Sequence, residues 1–186
     1  MSNELTSKYK AEFEEIIAII EQKRENALCA VNAEMLLMYW ELGKYISKAI
    51  GDRADYGKYL LKYLSERLTK DFGEGFTVRN LRNMRQFYQM FSIRNSLRAE
   101  LSWTHYRTLM RIDDETKRHY YLRECAENAW NTRELERQIN SFHYERLLAV
   151  PTEEKADNRV VHDEKDPSYI LKDPYILEFL DLKENK

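Results

Sequence analysis

Proline is missing from residues 1–150: the chain's three prolines are Pro151, Pro167 and Pro174. Glycine is nearly as scarce, and Gly43, Gly51, Gly57, Gly73 and Gly75 all fall in one third of the sequence. A Gly-rich phosphate loop, a two-residue hairpin built on glycine and a flexible Gly-rich linker are therefore disfavoured. No run of about 18 uncharged apolar residues occurs, and Met1 to Lys10 has no apolar core, so neither a membrane span nor a signal peptide is expected. The two cysteines, Cys29 and Cys125, are isolated, which fits buried thiols in a reducing, cytoplasmic compartment. The four histidines, His105, His119, His143 and His162, lack partners at metal-ligand spacing. They read as surface or packing residues. No metal site, cofactor or catalytic residue is expected. Glu-x-Lys triplets begin at Glu21, Glu115 and Glu184, but two lie in helical patterns and the third at the chain end, so none reads as a nuclease motif.

What the 186 residues do contain is helical periodicity and a hidden charge asymmetry. The net charge is -2, yet residues 51–100 carry 10 basic against 6 acidic side chains, while residues 151–186 carry 6 against 10. From Gly75 to Ala99 there are five arginines (Arg79, Arg82, Arg85, Arg94, Arg98) and no acidic residue. Arginine is the side chain best shaped for bidentate contacts to phosphate or guanine.

The spacing of apolar residues predicts an all-α, multi-helix domain over 1–150. Phe13, Ile16, Ile17 and Ile20, then Ala27, Leu28, Val31, Met35, Tyr39, Leu42 and Ile46, mark helix from Ser7 to Ile50. Either it breaks between Glu25 and Asn32, or it extends as an antenna or pairs with another chain. A helix from Ala54 to Asp71, a turn with Gly73 and Gly75, the cap Thr77 and a helix from Val78 to Phe91 make a helix-turn-helix-like unit at about 54–91. Placed on a wheel at 100° per residue, the last helix puts Leu81, Met84, Phe87, Tyr88 and Phe91 on one side. Arg79, Arg82, Asn83, Gln86 and Gln89 fall on the other. Arg, Asn and Gln are the residues that read base edges in the major groove. Arg85 sits on the flank, where phosphate contact is expected, and Asn80 points coreward to cap or bridge.

A second helical unit is expected over 102–148. Ser102 caps a helix to Ile112, Asp113 or Asp114 caps one to about Asn128, and Asn131 caps one from Thr132 to Leu148. Arg133 and Arg137 on that last helix are secondary nucleic-acid candidates, but interspersed Glu134, Glu136 and Glu145 make it read as a packing helix. Residues 151–166 read as a linker, and 167–186 as a short helix capped by Asp173 and Pro174 that docks on the domain body, a partner or a nuclease domain.

Five segments together resemble the N-terminal region of YhcG-like nucleases. They are Leu37 to Ile46 (LMYWELGKYI), Gly75 to Tyr88 (GFTVRNLRNMRQFY), Leu101 to Tyr106 (LSWTHY), Asn128 to Ile139 (NAWNTRELERQI) and Asp173 to Leu180 (DPYILEFL). The resemblance covers about residues 27–182 in order. It implies a helical, DNA-binding module ahead of a PD-(D/E)XK nuclease domain, with Arg79, Arg82 and Arg85 facing DNA. It implies endonuclease activity only with that downstream domain.

The resulting expectation is DNA bound through Arg79, Arg82, Asn83 and Gln86, with Arg85, Arg94 and Arg98 on phosphates. Its rival is a protein-interaction module that dimerises through the long N-terminal helix.

Overall fold

The computed structural model describes residues 2–51, 54–91 and 97–149, together with Ile176, Phe179 and Leu180. Among these residues the chain is all-α. Seven helices follow one another: α1 (Ser2–Ile50), α2 (Ala54–Phe72), α3 (Val78–Met90), α4 (Trp103–Leu109), α5 (Glu115–Glu127), α6 (Thr132–Asn140) and α7 (His143–Ala149). A short 3₁₀ turn, Glu74–Phe76, separates α2 from α3. The expected 151–166 linker lies outside the described residues.

Helix α1 does not break. With 49 residues it is about 74 Å long at 1.5 Å per residue. Its two halves have different surroundings. From Leu28 onward, Val31, Met35, Tyr39, Leu42, Ile46 and Ile50 recur every three or four residues and enter the core. Before Leu28, Phe13, Ile16, Ile19 and Ile20 stay exposed.

α3 packs chiefly on α1 and only secondarily on α2, so the 54–91 segment is not a self-contained pair of helices. The approach of α1 and α3 is closest at Gly43, where an added Cβ would lie 2.0 Å from the Met84 carbonyl oxygen. Around that crossing, aromatic rings fill the centre. Phe87 contacts Trp103 at 5.2 Å and Tyr106 at 4.9 Å between centroids, and Tyr39 meets Trp103 at 4.8 Å. Such tilted and edge-on pairs add to the apolar burial of each ring.

Polar side chains then stitch the irregular segments to this core. The fully buried Asn32 donates to the carbonyls of Ala99 (2.6 Å) and Leu101 (2.9 Å). Trp40 Nε1 donates to the Phe91 carbonyl at the end of α3 (2.6 Å). Tyr106 Oη accepts from the Arg98 amide (2.6 Å). Arg118, buried without a carboxylate partner among the described residues, donates to the carbonyls of Ile112 (2.7 Å) and Asp113 (3.3 Å) and holds the turn before α5. Pairing of buried polar groups in this way avoids the desolvation cost of leaving them unmade.

Thr77, Asp114 and Asn131 cap α3, α5 and α6 as the sequence suggests, each accepting from a backbone amide three residues on. The helix expected over Thr132 to Leu148 is in fact two. It stops at Asn140, Phe142 takes a left-handed φ of 54°, and α7 starts afresh at His143. α7 is pulled back onto α5, where the His143 Nδ1 to Tyr120 Oη distance is 2.9 Å and the Tyr144 amide donates to Tyr121 Oη (3.2 Å). The helix from Trp103 likewise ends at Leu109 rather than Ile112, in a turn closed by Arg111 and Ile112 amides. Of the expected C-terminal helix, Ile176 is fully buried with the core, and the Leu180 amide donates to its carbonyl (3.0 Å).

Candidate nucleic-acid interface

Two of the seven helices, α3 and the short α4, contain no acidic residue, and α3 is the longer and carries three arginines against one, so its construction decides what it can present. Its first turn is fixed from two sides. Thr77 Oγ1 accepts the Asn80 amide (3.3 Å), and Asn80 itself, buried as its wheel position suggests, bridges two other segments. It donates to the Gly75 carbonyl (2.5 Å) and accepts from Trp103 Nε1 (3.1 Å). Gly73 supplies the φ of 96° that lets the chain turn into this cap, a conformation that favours glycine. Leu81, Met84 and Phe87 are completely buried on the inner face. The helix therefore cannot rotate about its axis without breaking the core.

The outer face that results holds Arg79, Arg82, Gln86 and Gln89, all exposed. They span about 80° of the wheel, a narrow ridge in line with the helix axis. Asn83 and Arg85 are half-buried on the two flanks. No carboxylate among the described residues pairs with Arg79, Arg82 or Arg85, and the Arg85 Nε is buried without a hydrogen-bond partner among them. Gln86 departs from a freely available reader: its amide nitrogen donates to the Met110 carbonyl (3.2 Å) at the end of α4. Its Oε1 remains to accept.

The remaining candidates divide. Arg98 is exposed in the segment between α3 and α4, with its backbone held by Tyr106. Arg94 lies outside the described residues. Arg133 is exposed on α6, but Arg137 is bonded to Glu134 (2.5 Å), which offsets its charge. The structure thus brings Arg79, Arg82 and Gln86 onto one surface, flanked by Asn83 and Arg85, and sets Arg133 and Arg137 on a different helix.

The segment Leu101 to Tyr106, by contrast, is structural. In Leu101 to Tyr106, five of six side chains are buried. His105 is fully enclosed: the Ser102 amide donates to its Nδ1 (3.1 Å) and its Nε2–H donates to the Trp130 carbonyl (2.9 Å). These partners fix the neutral tautomer with the proton on Nε2. Burial pushes its pKa down to about 4, partly opposed by the Trp130 carbonyl. Burial also raises the Cys125 thiol to about 12, so it is inert at neutral pH. Among the described residues no group of three His, Cys, Asp or Glu side chains is placed to hold a metal ion, and no helix is long and apolar enough to cross a membrane.

The family described as the DUF1016 N-terminal domain matches residues 15–146, which include all of α2 to α6 and most of α1 and α7. The chain belongs to this family. It is also similar to a protein of Escherichia coli (strain K12) named "Putative nuclease YhcG", with 29% identity over an alignment of 223 residues that includes 99% of this chain. The chain spans 59% of that relative's length. No solved structure matches the chain. The match begins at Glu15, in the exposed first half of α1, and ends at Arg146 within α7, so it takes in the packed helices together with part of that exposed half.

Proposed function

We propose that this chain is the DNA-binding helical module of a YhcG-like nuclease, and that α3 enters the major groove to position or regulate a PD-(D/E)XK domain outside this chain. The observation that carries the reading is the acid-free exposed ridge of Arg79, Arg82, Gln86 and Gln89 on a helix whose other face is locked. Arg79 and Arg82 offer bidentate contacts to guanine O6 and N7, and the free Gln86 Oε1 can accept from an exocyclic amino group. Asn83 adds a second amide at the edge. Arg85, Arg94 and Arg98 contact phosphates and set the register. The relative's name associates this kind of chain with nucleases, which is consistent with a DNA-directed role.

Replacement of both Arg79 and Arg82 with alanine is expected to weaken duplex binding by about 100-fold, at about 1–3 kcal/mol for each lost base contact. The variant should keep its helical circular dichroism, since both side chains are exposed. Fluorescence anisotropy with a labelled duplex at fixed low salt is the measurement, and equal affinities for wild type and variant would refute the assignment.

Self-association is a second reading, favoured by the first half of α1. Tyr9, Phe13, Ile16, Ile19 and Ile20 retain 43–63% of their full exposure, a stripe of aromatic and aliphatic groups with nothing packed on it among the described residues. Contiguous apolar surface of this kind marks an interaction site. Sedimentation should show a dimer for the wild type and a monomer for Phe13→Glu/Ile16→Glu. A wild type that stays monomeric at every concentration removes this reading and leaves the DNA reading standing.

A further inference from the structure

α2 carries a second surface that neither the α3 ridge nor the core uses. Tyr56, Tyr59 and Tyr63 are 49%, 77% and 60% exposed, and Arg67 and Lys70 continue the same line. At 100° per residue these five side chains fall within about 80° of the helix, while Leu61, Leu64 and Leu68 face the core. No carboxylate lies in the stripe. Asp55, Glu66 and Asp71 flank it: Asp55 and Glu66 are bound to Lys58 (3.3 Å) and Lys62 (3.9 Å) in exposed pairs, and Asp71 is exposed one turn beyond Arg67 without contacting it.

From this juxtaposition we propose that the tyrosine stripe of α2 is a stacking platform for unpaired nucleobases, with Arg67 and Lys70 on the phosphates of the same single strand. The inference rests on the DNA-binding reading and extends it from duplex to single-stranded segments. Exposed tyrosines cost apolar area in water unless something covers them, and the covering group must also satisfy two uncompensated cations. Single-stranded nucleic acid meets both demands, because each base has a π-face and each nucleotide carries a negative phosphate. The spacing agrees. Tyr59 and Tyr63 are about 6 Å apart along the helix axis at 1.5 Å per residue. A base placed between two rings needs about twice the 3.4 Å stacking rise. A protein partner would account for the tyrosines but not for the absence of any acid in the stripe, so the strand is favoured.

The test uses the full 186-residue chain and a labelled (dT)20 strand, an abasic strand of equal length and a duplex. Tyr59→Ala/Tyr63→Ala should lose at least about tenfold in affinity for (dT)20 while duplex affinity is unchanged. Tyr59→Phe/Tyr63→Phe should restore it, because the rings persist. Arg67→Gln/Lys70→Gln should reduce the slope of log affinity against log salt by about 1.4. Wild-type affinity for the abasic strand equal to that for (dT)20 would overturn the proposal. So would undiminished (dT)20 binding by Tyr59→Ala/Tyr63→Ala, or no (dT)20 binding by the wild type. In each of those cases the duplex arm, read with Arg79→Ala/Arg82→Ala, reports separately on α3.

Discussion

Gly43→Ala is expected to destabilise the protein by about 3 kcal/mol or more, although helix propensity alone predicts the opposite sign. In an isolated helix interior, alanine is favoured over glycine by about 1 kcal/mol. Gly43 sits well inside α1, so a local argument makes the substitution stabilising. The tertiary argument reverses it. An alanine Cβ would lie 2.0 Å from the Met84 carbonyl oxygen, 2.7 Å from its carbon and 3.0 Å from the Tyr88 Cβ. The nearest two atoms are backbone of α3, which cannot rotate away as a side-chain end could. α1 and α3 must therefore separate, and the crossing they form supports Met35, Tyr39, Leu81, Met84 and Phe87. Overpacking that moves backbone costs typically about 1–3 kcal/mol, and here the opened crossing adds lost burial. Urea unfolding monitored by tryptophan fluorescence should show a clearly lower midpoint with the same slope. A midpoint equal to or above that of the wild type would mean that the helices do not approach as closely as described. Gly57→Ala makes the contrast: its Cβ would meet the Ile50 Cγ2 at 2.8 Å, a side-chain atom and not backbone, and a smaller change is expected.

The difference between these two glycines marks the boundary of what the sequence discloses. A glycine inside a helical pattern signals a packing reason, but not which element comes close. Helical periodicity was sufficient for the two faces of α3, because Leu81, Met84 and Phe87 separate cleanly from Arg79, Arg82 and Gln86 at 100° per residue. Local hydrogen-bonding chemistry was sufficient for the caps Thr77, Asp114 and Asn131, whose partners are three residues away. The break at Ser141 and Phe142 was not legible. No glycine or proline stands there, and the turn exists because α7 docks on Tyr120 and Tyr121, some twenty residues earlier. Likewise Asn32, His105 and Arg118 are polar residues in the interior, and their partners are backbone groups or rings in other segments. Composition cannot distinguish them from surface residues. Within the candidate interface, the wheel placed Gln86 correctly on the ridge, but the bond of its amide to Met110 depends on where α4 ends.

The enclosed His105 leads to a pH dependence with a definite direction. In the unfolded chain its imidazole takes up a proton below about pH 6.5. In the folded protein it resists until about pH 4. The unfolded state thus binds the extra proton across the interval between these values, and stability falls as pH is lowered through it. The contribution is fully present above pH 6.5 and levels off below about pH 4. A shift of this size corresponds to about 3 kcal/mol in all, of which about 2 kcal/mol is lost by pH 5. The main physical cause is burial of the imidazole, and the Ser102 amide works in the same direction. Protonation would put an N–H on Nδ1 facing the Ser102 amide, turning a hydrogen bond into an opposition of two donors at 3.1 Å. Measuring urea midpoints between pH 7 and pH 5 keeps ordinary carboxylates ionised and isolates histidine. His143, whose pKa is lowered by burial and by Arg146, shifts stability in the same direction, so the comparison needs a variant. His105→Gln provides one. Its side-chain oxygen and amide can reproduce an acceptor and a donor without titrating, and its stability should vary much less between pH 7 and pH 5 than that of the wild type. Parallel curves for the two proteins would show that His105 is not the group that limits stability in mild acid.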